Sequence, residues 1–230
     1  MDKPIIEALL RLIEVKDAST AAHTWRVTLY THALADAAKL EAERVQRLTV
    51  AASLHDIGKL DIPEEILQKP GKLDDREFQI MKGHTTAGHE RLLAMGEDDQ
   101  IMLDLVRHHH ERWDGLGYPD SLAGEQIPLA ARYFSVIDTF DALTSVRPYR
   151  NDIGEDAAKR AIEELQRCKG TRYYPDAVDM FTKLFETGSL DWIMHYYNDW
   201  VPVPQFNGPE LMKKIERDAH DGGQSERMPG

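Results

Sequence analysis

The chain has 230 residues, enough for one large or two small domains around a sizeable core. Its 28 lysines and arginines face 40 aspartates and glutamates, a net charge of −12. That balance excludes DNA or RNA binding by a general basic face, and it requires metals or local arginines wherever an anionic substrate is handled. Cys168 is the single cysteine, so an intramolecular disulfide framework is excluded. No apolar run approaches the ~20 residues needed to span a bilayer, and the N-terminus lacks the apolar centre of a signal peptide. These features together give the expectation of a cytoplasmic protein with no membrane partner.

In chain order, apolar residues at helical spacing predict a first helix over Ile5 to Val15. A second runs from Thr20 to Lys39, with His23, Val27, Tyr30 and Leu34 on one stripe. A third covers Ala42 to His55. Pro63 suits the first position of a short helix ending at Leu67. Lys69-Pro70-Gly71-Lys72 is a turn signal. Asp74 followed by Glu77 resembles a capping box for the next helix, which carries Phe78, Ile80 and Met81. A broken continuation holds His84 to Met95, and another helix holds Asp99 to His109. A loop rich in glycine and proline then covers Asp114 to Ile127.

Pro128 opens a long helix from Leu129 to Thr144, with Ala131, Phe134, Ile137 and Asp138 on one side. Glu155 to Cys168 is amphipathic and closed by Gly170. Asp176 to Phe185 follows. Beyond it stand the aromatics Trp192, Tyr196, Tyr197 and Trp200, which suit either core covering or a homodimer contact. Val201 to Pro204 reads as extended, Glu210 to His220 as a charged helix, and 221–230 as a polar, disordered tail. No segment alternates as a strand would, so the expected fold is all-α. The expected division is 1–187, a C-terminal helical extension at 188–220, and the tail.

The chemistry concentrates at His55-Asp56. Adjacent residues on a helix point about 100° apart, so both can serve one centre only at a helix end, and Gly58 is read as supplying that end. Lys59 lies one turn from Asp56, within reach of whatever the carboxylate binds. Imidazole beside carboxylate suits a first-row metal. Further candidate ligands recur on separate helices: His23, His84, the run His108-His109-His110, and Asp138. Six ligands with one shared carboxylate can hold two metals about 3.5–4 Å apart, the spacing used for in-line phosphate displacement.

Longer stretches now become recognisable: residues 54–63 (LHDIGKLDIP), 66–73 (ILQKPGKL), 81–84 (MKGH), 109–119 (HHERWDGLGYP), 124–132 (GEQIPLAAR), 136–145 (VIDTFDALTS), 147–150 (RPYR) and Gly170-Thr171. In this order the chain resembles the HD-GYP family, the branch of the HD superfamily that hydrolyses cyclic di-GMP. The resemblance covers roughly residues 15 to 187. It implies an HD-domain helical bundle with a dinuclear metal site in its core.

By resemblance, His23, His55 and Asp138 are ligands of one metal, Asp56 is the bridging carboxylate, and His84 and His109 are ligands of the second. His110 is the family's further histidine. His89, His195 and His220 match no ligand position, and His108 is an extra histidine. The resemblance favours two divalent ions, iron or manganese. Some members hold a third metal with a glutamate four residues before the first histidine. Ser19 stands there in this chain, so two ions rather than three are expected.

The implied reaction is hydrolysis of cyclic di-GMP to linear pGpG, with GMP as a further product within reach of the same chemistry. Asp56 and Lys59 are the expected catalytic residues, Lys59 stabilising added charge. Arg147 and Arg150 suit bidentate phosphate contact. Tyr118, presented by the Gly-Tyr-Pro loop, suits contact with a guanine, loop packing, or docking of a partner such as a diguanylate cyclase. Glu111, Trp113, Asp114 and Asp141 are expected to brace the ligands and the loop. The alternative is a catalytically weak module that binds cyclic dinucleotide or docks a diguanylate cyclase. The chain starts close to the matched region, so a stand-alone enzyme and a piece of a longer regulated protein both fit.

Overall fold

Apolar stripes at 3.6-residue spacing can be buried only against one another, and the chain solves this by packing helix on helix. A computed structural model describes residues 1–16, 18–145 and 155–196, with the side chains of 18–21, 155–156 and 195–196 outside the description. In order, the helices are α1 (Lys3–Lys16), α2 (Ala18–Ala37), α3 (Ala42–Ser53), α4 (Glu64–Leu67), α5 (Asp75–Lys82), α6 (His84–Ala94), α7 (Gln100–His108), α8 (Leu129–Thr144), α9 (Glu155–Arg167), α10 (Pro175–Glu186) and α11 (Asp191–Tyr196). Short 3-10 turns cover Ile57–Asp61 and Gly124–Gln126. Among the described residues the fold is all-α. Its extended pairings are isolated bridges, Asp114 with Ala123 and Lys169 with Tyr173.

Helix α2 is the central member and packs against α1, α3, α8, α10 and α11. Its stripe of Val27, Tyr30 and Leu34 is buried. Tyr30, Phe140 and Phe181 meet edge-on at centroid separations of 5.6, 5.9 and 4.9 Å, which ties α2, α8 and α10 together. Each such aromatic removes on the order of 150–250 Å² from water, the main favourable term here. Trp192 and Met194 pack against the same core. Among the described residues no helix is long and apolar enough to cross a membrane.

The Asp74 capping box is present in both directions: Glu77 N–H donates to Asp74 Oδ1 and Asp74 N–H donates to Glu77 Oε2, each at 2.8 Å. Helix α8 has the expected bounds. Helix α3 does not: it stops at Ser53, and Leu54 is its C-cap, so His55 and Asp56 lie in the turn beyond rather than inside the helix. Pro63 is the N-cap of α4, not its first residue.

Gly58 has a different task from the one expected of it. It does not end α3; it lies inside the 3-10 turn, pressed on α6. A Cβ there would stand 1.8 Å from the His84 carbonyl oxygen and 2.5 Å from the Gly88 nitrogen. Only glycine lets the His55-Asp56 turn seat this closely on the helix that carries His84. Arg147, Arg150, Tyr197, Trp200, Val201 to Pro204, Glu210 to His220 and the tail lie outside the described residues, as do the side chains of Ser19, His195 and Tyr196.

Candidate metal centre

Four of the candidate ligands sit at helix ends, where backbone direction changes and neighbouring side chains can converge. His55 and Asp56 follow α3, His84 opens α6, and His109 follows α7. His110 comes next in the chain, while His23 and Asp138 project from within α2 and α8. The packing brings them into two groups of three. His23, His55 and Asp138 form one; His84, His109 and His110 form the other; within each group one ligand atom per residue lies within 4.8 Å of the others. His55, Asp56 and His109 form a further such group that joins the two.

The hydrogen bonds settle which ring nitrogen faces inward. His55 Nδ1 is 2.8 Å from the Ala52 carbonyl, His84 Nδ1 is 2.8 Å from the Met81 carbonyl, and His109 Nδ1 is 3.0 Å from the Val106 carbonyl. His23 Nδ1 is 2.8 Å from Asp141 Oδ2. Each Nδ1 therefore carries the proton and donates it outward, which leaves a lone pair on Nε2 pointing in.

Those lone pairs face each other. His23 Nε2 and His55 Nε2 are 3.2 Å apart, and His84 Nε2 and His109 Nε2 are 3.3 Å apart. Two acceptors cannot satisfy one another, but a cation shared between them satisfies both. This is the arrangement of imidazoles that ligate metal through one nitrogen and donate the other N–H to a carbonyl or carboxylate. Divalent metal ions therefore fit these residues.

Asp56 lies between the groups with one oxygen toward each: Oδ2 is 3.2 Å from His55 Nε2 and Oδ1 is 3.4 Å from His84 Nε2. Lys59 Nζ is 2.7 Å from Asp56 Oδ2, so the ammonium is delivered to the centre by the i,i+3 geometry of the turn. Asp138 Oδ1 stands 3.4 Å from His23 Nε2.

Burial sets the protonation states. It lowers His84, brings His110 down to about 4, and takes His109 well below the usual imidazole range, with the neighbouring His110 adding to the last effect. These three stay neutral near pH 7, as ligands must. Burial also pulls His55 down, but the Asp56 charge overrides it and raises the group. Burial pushes Asp56 up, yet His55 and Lys59 hold it well below the carboxylate range. The Asp138 and His23 side chains keep 18% and 13% of their exposure, so water reaches the centre from that side.

The expected bracing residues divide. Asp141 is fully buried and holds His23, and it is itself held by Arg26 through Nε at 2.6 Å and Nη2 at 3.1 Å. Arg26 carries no motif signature; its mark in the sequence is its place one turn after His23. Glu111 accepts the Asp120 and Leu122 N–H groups at 2.7 and 3.1 Å, and Asp114 pairs with Arg112 and accepts Leu116 N–H at 3.1 Å. Both carboxylates thus shape the loop, and neither hydrogen-bonds His109 or His110. Trp113 stacks on Tyr174 with centroids 5.0 Å apart.

The loop places the Tyr118 ring 4.9 Å from that of His110, at 35°. Gly117 makes this path possible, because a Cβ there would fall 2.3 Å from the Arg112 nitrogen. His108 turns away from both groups, with Nδ1 3.4 Å from Asp120 Oδ2 and 3.9 Å from Glu111 Oε1. Arg107 already holds both Asp120 oxygens, at 2.8 and 2.9 Å.

A family model described as HD domain matches residues 7–177. A cyclic di-GMP phosphodiesterase of Thermotoga maritima is 41% identical over 182 residues, which make up 78% of this chain and 48% of that protein. The 3'3'-cGAMP-specific phosphodiesterase 2 of Vibrio cholerae is 36% identical over 179 residues, 77% of this chain and 34% of that protein. The chain thus spans half or less of the length of these curated relatives. Among solved structures, the cyclic GMP-AMP-specific phosphodiesterase V-cGAP3 of V. cholerae matches with a TM-score of 0.60 at 14% identity, over 94% of this chain and 59% of that chain, a likeness of fold.

Proposed function

This chain belongs to the HD domain family, in its HD-GYP branch, and on that premise we propose that it is a metal-dependent phosphodiesterase that opens cyclic di-GMP to linear pGpG. The observation that carries the reading is the pair of inward-facing histidine groups with one Asp56 oxygen turned toward each. In this reading His23, His55 and Asp138 would hold one ion, His84, His109 and His110 would hold the other, and Asp56 would serve both. The nitrogen-rich donor set with two carboxylates suits iron or manganese. Two such ions supply Lewis acidity toward water and phosphoryl oxygen.

The protein's own groups do the rest. Asp141 keeps His23 in one tautomer and orientation. Lys59 presents a positive charge where negative charge gathers on the phosphoryl oxygens. Arg147 and Arg150 are assigned to the substrate phosphates by motif alone. Leu116, at 74% exposure, leaves an apolar tip on the Gly-Tyr-Pro loop, which favours a second role for that loop in docking a protein such as a diguanylate cyclase. Incubating the iron- or manganese-loaded protein with cyclic di-GMP under reducing conditions should yield pGpG by chromatography. Binding without product would replace the enzyme with a nucleotide-binding module.

A further inference from the structure

Helix α5 buries none of its residues, yet it carries an aromatic and a cation against the loop that reaches the metal centre. Phe78 is 45% exposed. Its ring meets Tyr118 edge-on, with centroids 6.5 Å apart at 81°. Lys82 Nζ stands 4.9 Å from the Phe78 centroid and 5.3 Å from that of Tyr118. Tyr118 in turn lies against His110. A continuous row therefore runs from a candidate ligand to a tyrosine and on to a half-exposed phenylalanine with an ammonium between the rings.

No core requirement accounts for Phe78, since α5 buries no side chain fully and Phe78 keeps nearly half its exposure. A half-exposed aromatic ring beside a cation is suited to a nucleobase and its phosphate. Base–aromatic stacking is tolerant of base identity, and an ammonium held over two rings is already partly ordered before it meets an anion. The local positive charge also offsets a chain of net charge −12.

We propose that Phe78 and Lys82, together with Tyr118, form a substrate subsite at the mouth of the centre, Phe78 stacking a purine base and Lys82 meeting the phosphate that is not being cleaved. The inference rests on the phosphodiesterase reading above. It assigns α5 the part of gripping the distal half of a cyclic dinucleotide while the metal centre takes the scissile phosphate.

The test compares cyclic di-GMP with bis(p-nitrophenyl) phosphate, a diester with a single phosphate and no nucleobase, on the manganese-loaded chain. Phe78→Leu keeps an apolar side chain but not the ring, and should raise KM for cyclic di-GMP roughly tenfold at little cost in kcat. Phe78→Trp should restore it. Lys82→Met should raise KM by a similar factor and make KM less sensitive to added salt. Neither rise should be seen with the simple diester. Unaltered KM for cyclic di-GMP in both Phe78→Leu and Lys82→Met would overturn this inference alone, as would equal losses of kcat on both substrates. Wild-type cleavage of the simple diester without any cleavage of cyclic di-GMP would overturn the functional reading, and the subsite with it.

Discussion

The two ends of the histidine cluster are held by different physics. At one end, the His84 and His109 imidazoles are each oriented by a main-chain carbonyl three residues back, within their own turns. At the other end His55 keeps a backbone brace from Ala52, but His23 is oriented by Asp141, 118 residues away in sequence, locked in turn by Arg26. The first brace is made as soon as the local backbone forms. The second exists only once α2 has met α8. A backbone brace cannot be removed by substitution, whereas a carboxylate brace can, so the His23 end is the one open to change without touching a ligand.

The double variant His55→Ala, Asp56→Ala strikes the element common to both ends. It should abolish turnover and leave a protein with no bound metal, read by elemental analysis beside product formation; retained activity would refute the shared-carboxylate assignment. Asp141→Ala should act on one end only. It removes the buried carboxylate that pairs with Arg26, at a cost of about 3–5 kcal/mol in urea denaturation, and should reduce the metal content from two ions to one. Loss of both ions would mean that the two ends are not independent, and retention of both would mean that the Asp141 brace does not hold the metal.

Acid should separate the ends next. His84, His109 and His110 have folded values below the unfolded one, so the unfolded chain binds more protons and stability falls as pH drops from about 6.5. His110 alone, lowered to about 4, accounts for roughly 3 kcal/mol at most. The raised His55 works the other way: its contribution is full at low pH and is lost as pH climbs through its folded value. With three groups against one, the melting temperature of the metal-free protein should be lower at pH 4.5 than at pH 7. A flat profile would mean that the imidazoles are not buried as described.

The smallest expected effect is that of Gly58→Ala. The added methyl meets the His84 carbonyl, and overpacking against backbone should cost about 1–3 kcal/mol. Metal affinity at the His84 end should weaken with it, measured by competition with a chelator.

Much of this was legible before folding was considered. The bounds of α8, the Asp74–Glu77 capping box and the helical stripe of α2 follow from side-chain spacing and from hydrogen bonds that close within one turn. The candidate ligands could be named by residue type and motif order. The hydrogen bonds of Arg26 to Asp141, the close approach that requires Gly58, the outward turn of His108 and the row from His110 to Phe78 could not.

The sequence by itself determined where most of the described helices would lie and which residues carried donor atoms, because periodicity and capping act over a few residues. Only the tertiary structure decided which lone pairs face each other, which oxygen of Asp56 turns to which group, and which cation stands beside which ring. Those depend on ångström-scale distances between helices far apart in the chain, and such distances emerge only when the whole core is packed.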